Sequence, residues 1–259
     1  MINKFNEEQT EMMKKGLAIG INMKEYVEIF EKEQLDEILA GLESEINVKK
    51  YAHEDFSAQQ MKLIRSGLQM KLPVNAYLHP DFTPEQMELI MYGLQKKLDI
   101  NWYADCDLDY FQMLEIKEGL ENELDVRIYA DSKFSAQQMK VIKQGLEKEL
   151  DVMIYANPKF DWKQMNEIKQ GLLLNIDLTN YYVDETFNWK QMNEILKGLK
   201  EGLDVKIYAK RELNSIQMQY IREGLEEGLD VTNYADPSVN ESKMLEIKKK
   251  LSKANKLQQ

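Results

Sequence analysis

A unit of about 26 residues returns along almost the whole chain, and a Gly-Leu step marks its phase at Gly16, Gly41, Gly67, Gly93, Gly119, Gly145, Gly171, Gly198 and Gly224. Successive glycines lie 25, 26, 26, 26, 26, 26, 27 and 26 residues apart, and a degenerate tenth copy holds Lys250-Leu251 at the same place. Periods of roughly 20–50 residues belong to solenoids and arrays, where each unit buries its apolar face only against its neighbours. The chain of 259 residues therefore reads as all-α. The expected fold is a right-handed helical solenoid of about ten units, each one long helix plus one short α or 3-10 helix. It is a single repeat domain over 1–259, capped over about 1–29 and 236–259.

The copy from Phe56 to Tyr77 shows how a unit is specified. Ser57 stands at an N-cap position with Gln60 three residues on, the spacing of a capping box, and Phe56 before the cap can staple onto Met61. The same pair recurs as Thr83/Gln86, Asp109/Gln112, Ser135/Gln138, Asp161/Gln164, Asn188/Gln191 and Asn214/Gln217. Met61, Ile64, Leu68 and Leu72 then draw an apolar stripe down a helix of about four turns. Next, Asp99, Asp125, Asp151, Asp177, Asp204 and Asp230 read as caps of a second, single-turn helix in which Val126 and Tyr129, or Val152 and Tyr155, share a face. Glycine inside a helix costs about 1 kcal/mol relative to alanine, so its recurrence implies a close approach by a neighbouring helix or a tyrosine ring. The tyrosine and methionine columns read as core, with each tyrosine hydroxyl reaching a nearby carbonyl or carboxylate.

Composition bounds the function. Apolar residues make up 43% and charged residues 31%, enough for a continuous core. No apolar run approaches the ~20 residues of a membrane span, and MINKFNEEQTEMMKK lacks the plan of a signal peptide, so no membrane partner and a cytoplasmic location are expected. A single cysteine, Cys106, excludes an internal disulfide framework and is expected to be half-buried. The net charge of -11 opposes direct nucleic-acid binding, which rests on Lys and Arg displacing counterions. An acidic surface can instead occupy a basic groove of another protein.

Catalytic constellations are scarce. His53 and His79 share one repeat position in adjacent copies, but without a nearby cysteine or a third ligand column they read as turn residues rather than metal ligands. No phosphate loop, dinucleotide fingerprint or nucleophile elbow occurs. No enzyme, no cofactor and no metal are expected. In a repeat protein, function resides where copies differ at exposed places. At the first helical position most copies carry Ala, Pro, Ser or Glu, whereas Tyr110, Trp162 and Trp189 place large aromatics there. Trp102, Ile128, Ile154 and Ile207 form a second row on the short helices, and Tyr92 and Tyr220 add to the apolar excess, as do Leu89, Met91, Leu114, Val141, Leu173, Leu174 and Leu196. The nine candidate partner-binding residues are thus Tyr92, Trp102, Tyr110, Ile128, Ile154, Trp162, Trp189, Ile207 and Tyr220. For the isoleucines, burial between units stands as the alternative, and for Trp162 and Trp189, partial burial under the preceding loop.

The units YADSKFSAQQMKVIKQGLEKELDV and YANPKFDWKQMNEIKQGLLLNIDL resemble tandem repeats found in proteins of Firmicutes phages and mobile elements, whose copies read close to YADPxFDxxQMxxIRxGLExGLDV. The resemblance covers nearly the whole chain and is weaker at its ends and at Tyr181-Tyr182, where the usual Tyr-Ala is replaced. It implies a mobile-element setting and carries no catalytic residues with it. The expectation is a non-catalytic binding scaffold that sequesters or inhibits a host defence protein. An acidic nucleic-acid mimic and a small-ligand or nucleotide sponge are the alternatives, and pairing of two arrays into a homodimer stays open.

Overall fold

The computed structural model describes residues 5–176, 178 and 186–257, which hold helices, turns and loops and no strand. Asp177, Tyr181 and Tyr182 lie outside the described residues. The chain divides into two compact units, Met1–Ser132 and Lys133–Gln259. The first contains α1 (Glu7–Ala18), α2 (Lys24–Val27), α3 (Lys32–Glu43), α4 (Ala58–Gln69), α5 (Pro84–Lys96) and α6 (Tyr110–Glu121). In it α3 packs on α1 and α4, α4 on α5, and α5 on α6. The second contains α7 (Ala136–Leu146), α8 (Trp162–Leu173), α9 (Trp189–Lys200), α10 (Ser215–Glu226) and α11 (Glu241–Lys256), each packed on the next. Three-residue 3-10 helices at Val48–Lys50, Val74–Ala76, Ile100–Trp102, Val126–Ile128, Val152–Ile154 and Val205–Ile207 are the short helices of the repeat. The fold is a helical solenoid of alternating long and short helices. The first copy departs by forming the four-residue α2 in place of a 3-10 turn.

Every long helix from α4 to α10 begins at its expected cap, with both halves of the capping box formed. The glutamine also does something that spacing alone does not show. Its Oε1 accepts from the cap residue's N–H, while its Nε2 donates across to a carbonyl of the next copy. Gln60 reaches Phe82 O at 2.7 Å, Gln86 reaches Leu108 O at 2.8 Å, Gln138 reaches Phe160 O at 2.6 Å and Gln191 reaches Leu213 O at 2.8 Å. A glutamate would cap equally well but has no proton to donate at neutral pH, which explains why this position is Gln in copy after copy.

The phase glycine is explained by the tyrosine ten residues on. Tyr103, Tyr155 and Tyr208 donate their hydroxyls to the carbonyls of Leu89, Val141 and Glu194, at 3.3, 3.4 and 3.1 Å, on the long helix of their own copy. The ring thereby crosses the glycine, and a Cβ added to Gly145 would collide with the Tyr155 hydroxyl and stand 2.7 Å from Val152 Cγ1. The expected close approach is therefore the tyrosine, and its hydrogen bond ties short helix to long helix within one copy. At Gly171 the side chain of Leu178 fills that space. The repeat tyrosines Tyr51, Tyr77, Tyr103, Tyr129, Tyr155, Tyr208 and Tyr234 are fully buried, and burial pushes the Tyr77 hydroxyl up to about 12. Met61 and Ile64 are equally buried, whereas Leu68 and Leu72 are only half-buried where the helix runs out. Four residues after the glycine the backbone turns left-handed, at Lys97 (φ 60°) or Glu149 (φ 57°) as at Gly202 (φ 70°). The next amide then closes back on the glycine carbonyl, as Leu98 N–H does on Gly93 O at 2.9 Å.

Charged pairs also join adjacent copies beside the core. Arg65 meets Glu37 at 2.7 Å and Arg222 meets Glu194 at 2.7 Å, each 28 residues apart. Glu167, at the repeat position of Glu37 and Glu194, takes a hydrogen bond from Asn193 at 2.9 Å instead. Burial raises the Glu167 carboxyl above the usual range, against the lowering effects of Asn193 and Lys197. No described helix is long and apolar enough to cross a membrane.

Candidate protein-interaction site

The nine candidate residues fall into separate places. In the first unit Tyr92 and Trp102 are each 37% exposed, whereas Tyr110 and Ile128 are half-buried. Tyr92 is held in its own local cluster: Lys117 Nζ lies 4.5 Å from its ring centroid, and its hydrogen bond with Glu121 raises its hydroxyl. Tyr110 packs edge-on against Phe111, which is 65% exposed and is the larger surface of the two. In the second unit Ile154 is exposed, Ile207 and Tyr220 are half-buried, and Met153, one residue before Ile154, is 69% exposed. The middle residue of the 3-10 turn thus faces outward more than the third, a distinction that the sequence pattern does not carry. Val141 and Leu196, expected among the surface apolar excess, are buried, because each lies on a flank of a long helix that packs against an adjoining long helix.

Two candidates are brought together. Trp162 and Trp189 are the first residues of α8 and α9, which pack side by side. Their caps, Asp161 and Asn188, each accept two backbone amides, fixing the first turn so that the next side chain projects away from the core. Trp162 remains 43% exposed and Trp189 half-buried. The exposed Lys163 ammonium stands between them, 5.5 Å from the Trp162 ring centroid and 4.9 Å from that of Trp189. Lys190 lies 5.7 Å from the Trp189 ring. Cations at these distances are attracted to the negative faces of the indoles. Among the described residues neither lysine pairs with a carboxylate. The surface is therefore a row of two indoles and two ammonium groups over the positive ends of two helices. The lysines were legible as the repeated Trp-Lys of DWKQM and NWKQM, whose pairing only the stacking of α8 on α9 makes evident.

Charge is also unevenly divided. Residues 1–132 carry 14 Lys and Arg against 26 Asp and Glu, whereas residues 133–259 carry 20 against 19. The whole of the net negative charge thus belongs to the first unit, and the aromatic site sits in a nearly neutral one. In the first unit the exposed loop carboxylates Glu54, Asp55, Asp81, Asp105 and Asp107 precede successive long helices. Cys106 is exposed rather than half-buried, and its sulfur lies 3.7 Å from His79 Nδ1, a juxtaposition the sequence did not reveal. Partial burial of the sulfur and the charges of Asp81, Asp105 and Asp107 push its thiol up, the reverse of what an attacking thiolate needs. No three His, Cys, Asp or Glu among the described residues are grouped to hold a metal ion. Comparison with family models, with curated proteins and with solved structures finds no match to this chain.

Proposed function

We propose that this chain is a non-catalytic protein-binding scaffold of a phage or mobile element, which sequesters or inhibits a host protein. The observation that supports the reading is the Trp162–Lys163–Trp189 row. Other copies fill the first helical position with Ala58, Pro84, Ala136 or Ser215 and complete the same capping box, so the fold does not require an indole there. Exposed tryptophan is costly unless something covers it, and tryptophan dominates the energetics of protein interfaces. The mobile-element setting and a host defence protein as target rest on the repeat resemblance.

A second reading, the acidic mimic, is favoured by the concentration of charge in residues 1–132. One experiment separates the two. The tagged chain is used to capture proteins from a Firmicutes lysate after nuclease treatment, alongside a Trp162→Ala/Trp189→Ala variant and a Glu54→Lys/Asp55→Lys/Asp81→Lys variant. A specific partner lost only with the tryptophans supports the scaffold reading. One lost only on charge reversal supports the mimic, and no specific partner with any chain overturns both.

A further inference from the structure

We propose that the row formed by Trp162, Lys163, Trp189 and Lys190 docks a short acidic segment of the partner protein. Its carboxylates would pair with the two ammonium groups, and an apolar side chain would cover the Trp162 indole. This inference rests on the scaffold reading and names the chemistry that the scaffold recognises.

Three features point to an acidic occupant. First, both ammonium groups are exposed and without a carboxylate partner among the described residues. Second, each is held over an indole, which restricts its freedom before a ligand arrives and so reduces the ordering cost of binding. Third, the site belongs to the unit with 20 basic against 19 acidic residues, so a short anionic segment is not repelled there as it would be by residues 1–132. Charges beyond about 8 Å are screened at physiological salt, so a segment of a few residues experiences the local surface rather than the net charge of the chain.

Two amides of each first turn are already occupied: Asp161 accepts those of Lys163 and Gln164, and Asn188 accepts those of Lys190 and Gln191. Recognition falls to ammonium and indole together, which calls for a ligand with both charge and apolar surface. Nucleic acid shares the charge and can stack on tryptophan, but tracking its backbone takes a stripe of basic residues rather than two ammonium groups.

The test uses the full chain with Trp102→Phe, leaving Trp162 and Trp189 as its only tryptophans, so that intrinsic fluorescence reports this site alone. It is titrated with an eight-residue peptide alternating Glu and Leu, its Gln/Leu counterpart, and oligothymidylate. The proposal expects saturable binding of the Glu/Leu peptide about tenfold tighter than its Gln/Leu counterpart, weakened by salt, with Lys163→Gln/Lys190→Gln removing the difference. Equal binding of the two peptides, binding of oligothymidylate alone, or no binding overturns it. So does an emission change that follows protein concentration with doubling of mass, which would assign the row to a second copy of this chain. A captured partner that is lost with Trp162→Ala/Trp189→Ala yet indifferent to Lys163→Gln/Lys190→Gln would keep the scaffold reading and overturn only the acidic ligand.

Discussion

Replacing Gln86 by Glu isolates the dual role of the repeat glutamine, because it changes one amide nitrogen to oxygen and leaves shape intact. In the native chain Oε1 accepts the Thr83 amide at 2.8 Å and Nε2 donates to Leu108 O at 2.8 Å, in a side chain only 5% exposed. Glutamate retains the first bond. It loses the second, leaving the Leu108 carbonyl without its donor, at about 1–3 kcal/mol, and setting a carboxylate oxygen against a carbonyl oxygen. Together these give an expected loss of about 2–4 kcal/mol at pH 7.

The pH dependence has a definite sign. A protonated glutamic acid can donate to Leu108 O, so the folded state favours the proton and raises the carboxyl pKa, by about two units if about 3 kcal/mol of the loss depends on charge. Because the folded state then binds the proton more tightly than the unfolded state, the penalty is absent below about pH 4 and complete above about pH 6. Urea denaturation followed by helical circular dichroism, on native and variant chains at matched pH, measures the difference. A variant as stable as the native chain at pH 7, or one whose deficit grows on acidification, would refute the clamp.

Four further substitutions test other parts of the structure. Gly145→Ala should destabilise by about 2–3 kcal/mol despite alanine's better helix propensity, since its Cβ displaces the Tyr155 hydroxyl, and adding Tyr155→Phe should restore part of the loss in the same urea assay. Glu149→Gly relieves a left-handed residue at φ 57° and should raise stability by about 0.5–1 kcal/mol; a loss would contradict the assigned backbone. Glu167→Gln should stabilise at neutral pH and become neutral as pH falls below the ordinary carboxylate range, because burial raises the folded pKa and ionisation then costs stability as pH rises. Glu194→Gln, at the same repeat position but facing Arg222, should instead cost about 2 kcal/mol at pH 7.

The period, the caps and the core columns were legible because they are local. Ser57 and Gln60 sit within one turn, and Met61 and Ile64 declare their face by spacing alone. The Asp caps of the 3-10 turns were equally legible: Asp99, Asp125, Asp151 and Asp204 accept the amide two residues on. What joins one copy to the next was not, since the Gln86–Leu108 bond spans 22 residues and the Arg222–Glu194 pair 28. The candidate site divides in the same way. Trp162 and Trp189 stood out as departures from the repeat, but the lysine they share depends on how α8 lies against α9. Val141 and Leu196 were misassigned to the surface because the flank of each long helix is covered by its neighbour, which widens the buried face beyond a single amphipathic stripe.

The claim that Trp162 and Trp189 anchor a protein partner is tested most directly by hydrogen exchange of the chain alone and bound to its captured partner. The account predicts that protection gained on binding concentrates at the starts of α8 and α9, around residues 160–166 and 187–193. Protection confined to the acidic loops around Glu54, Asp81 and Asp105, with the tryptophan-bearing turns unchanged, would contradict it.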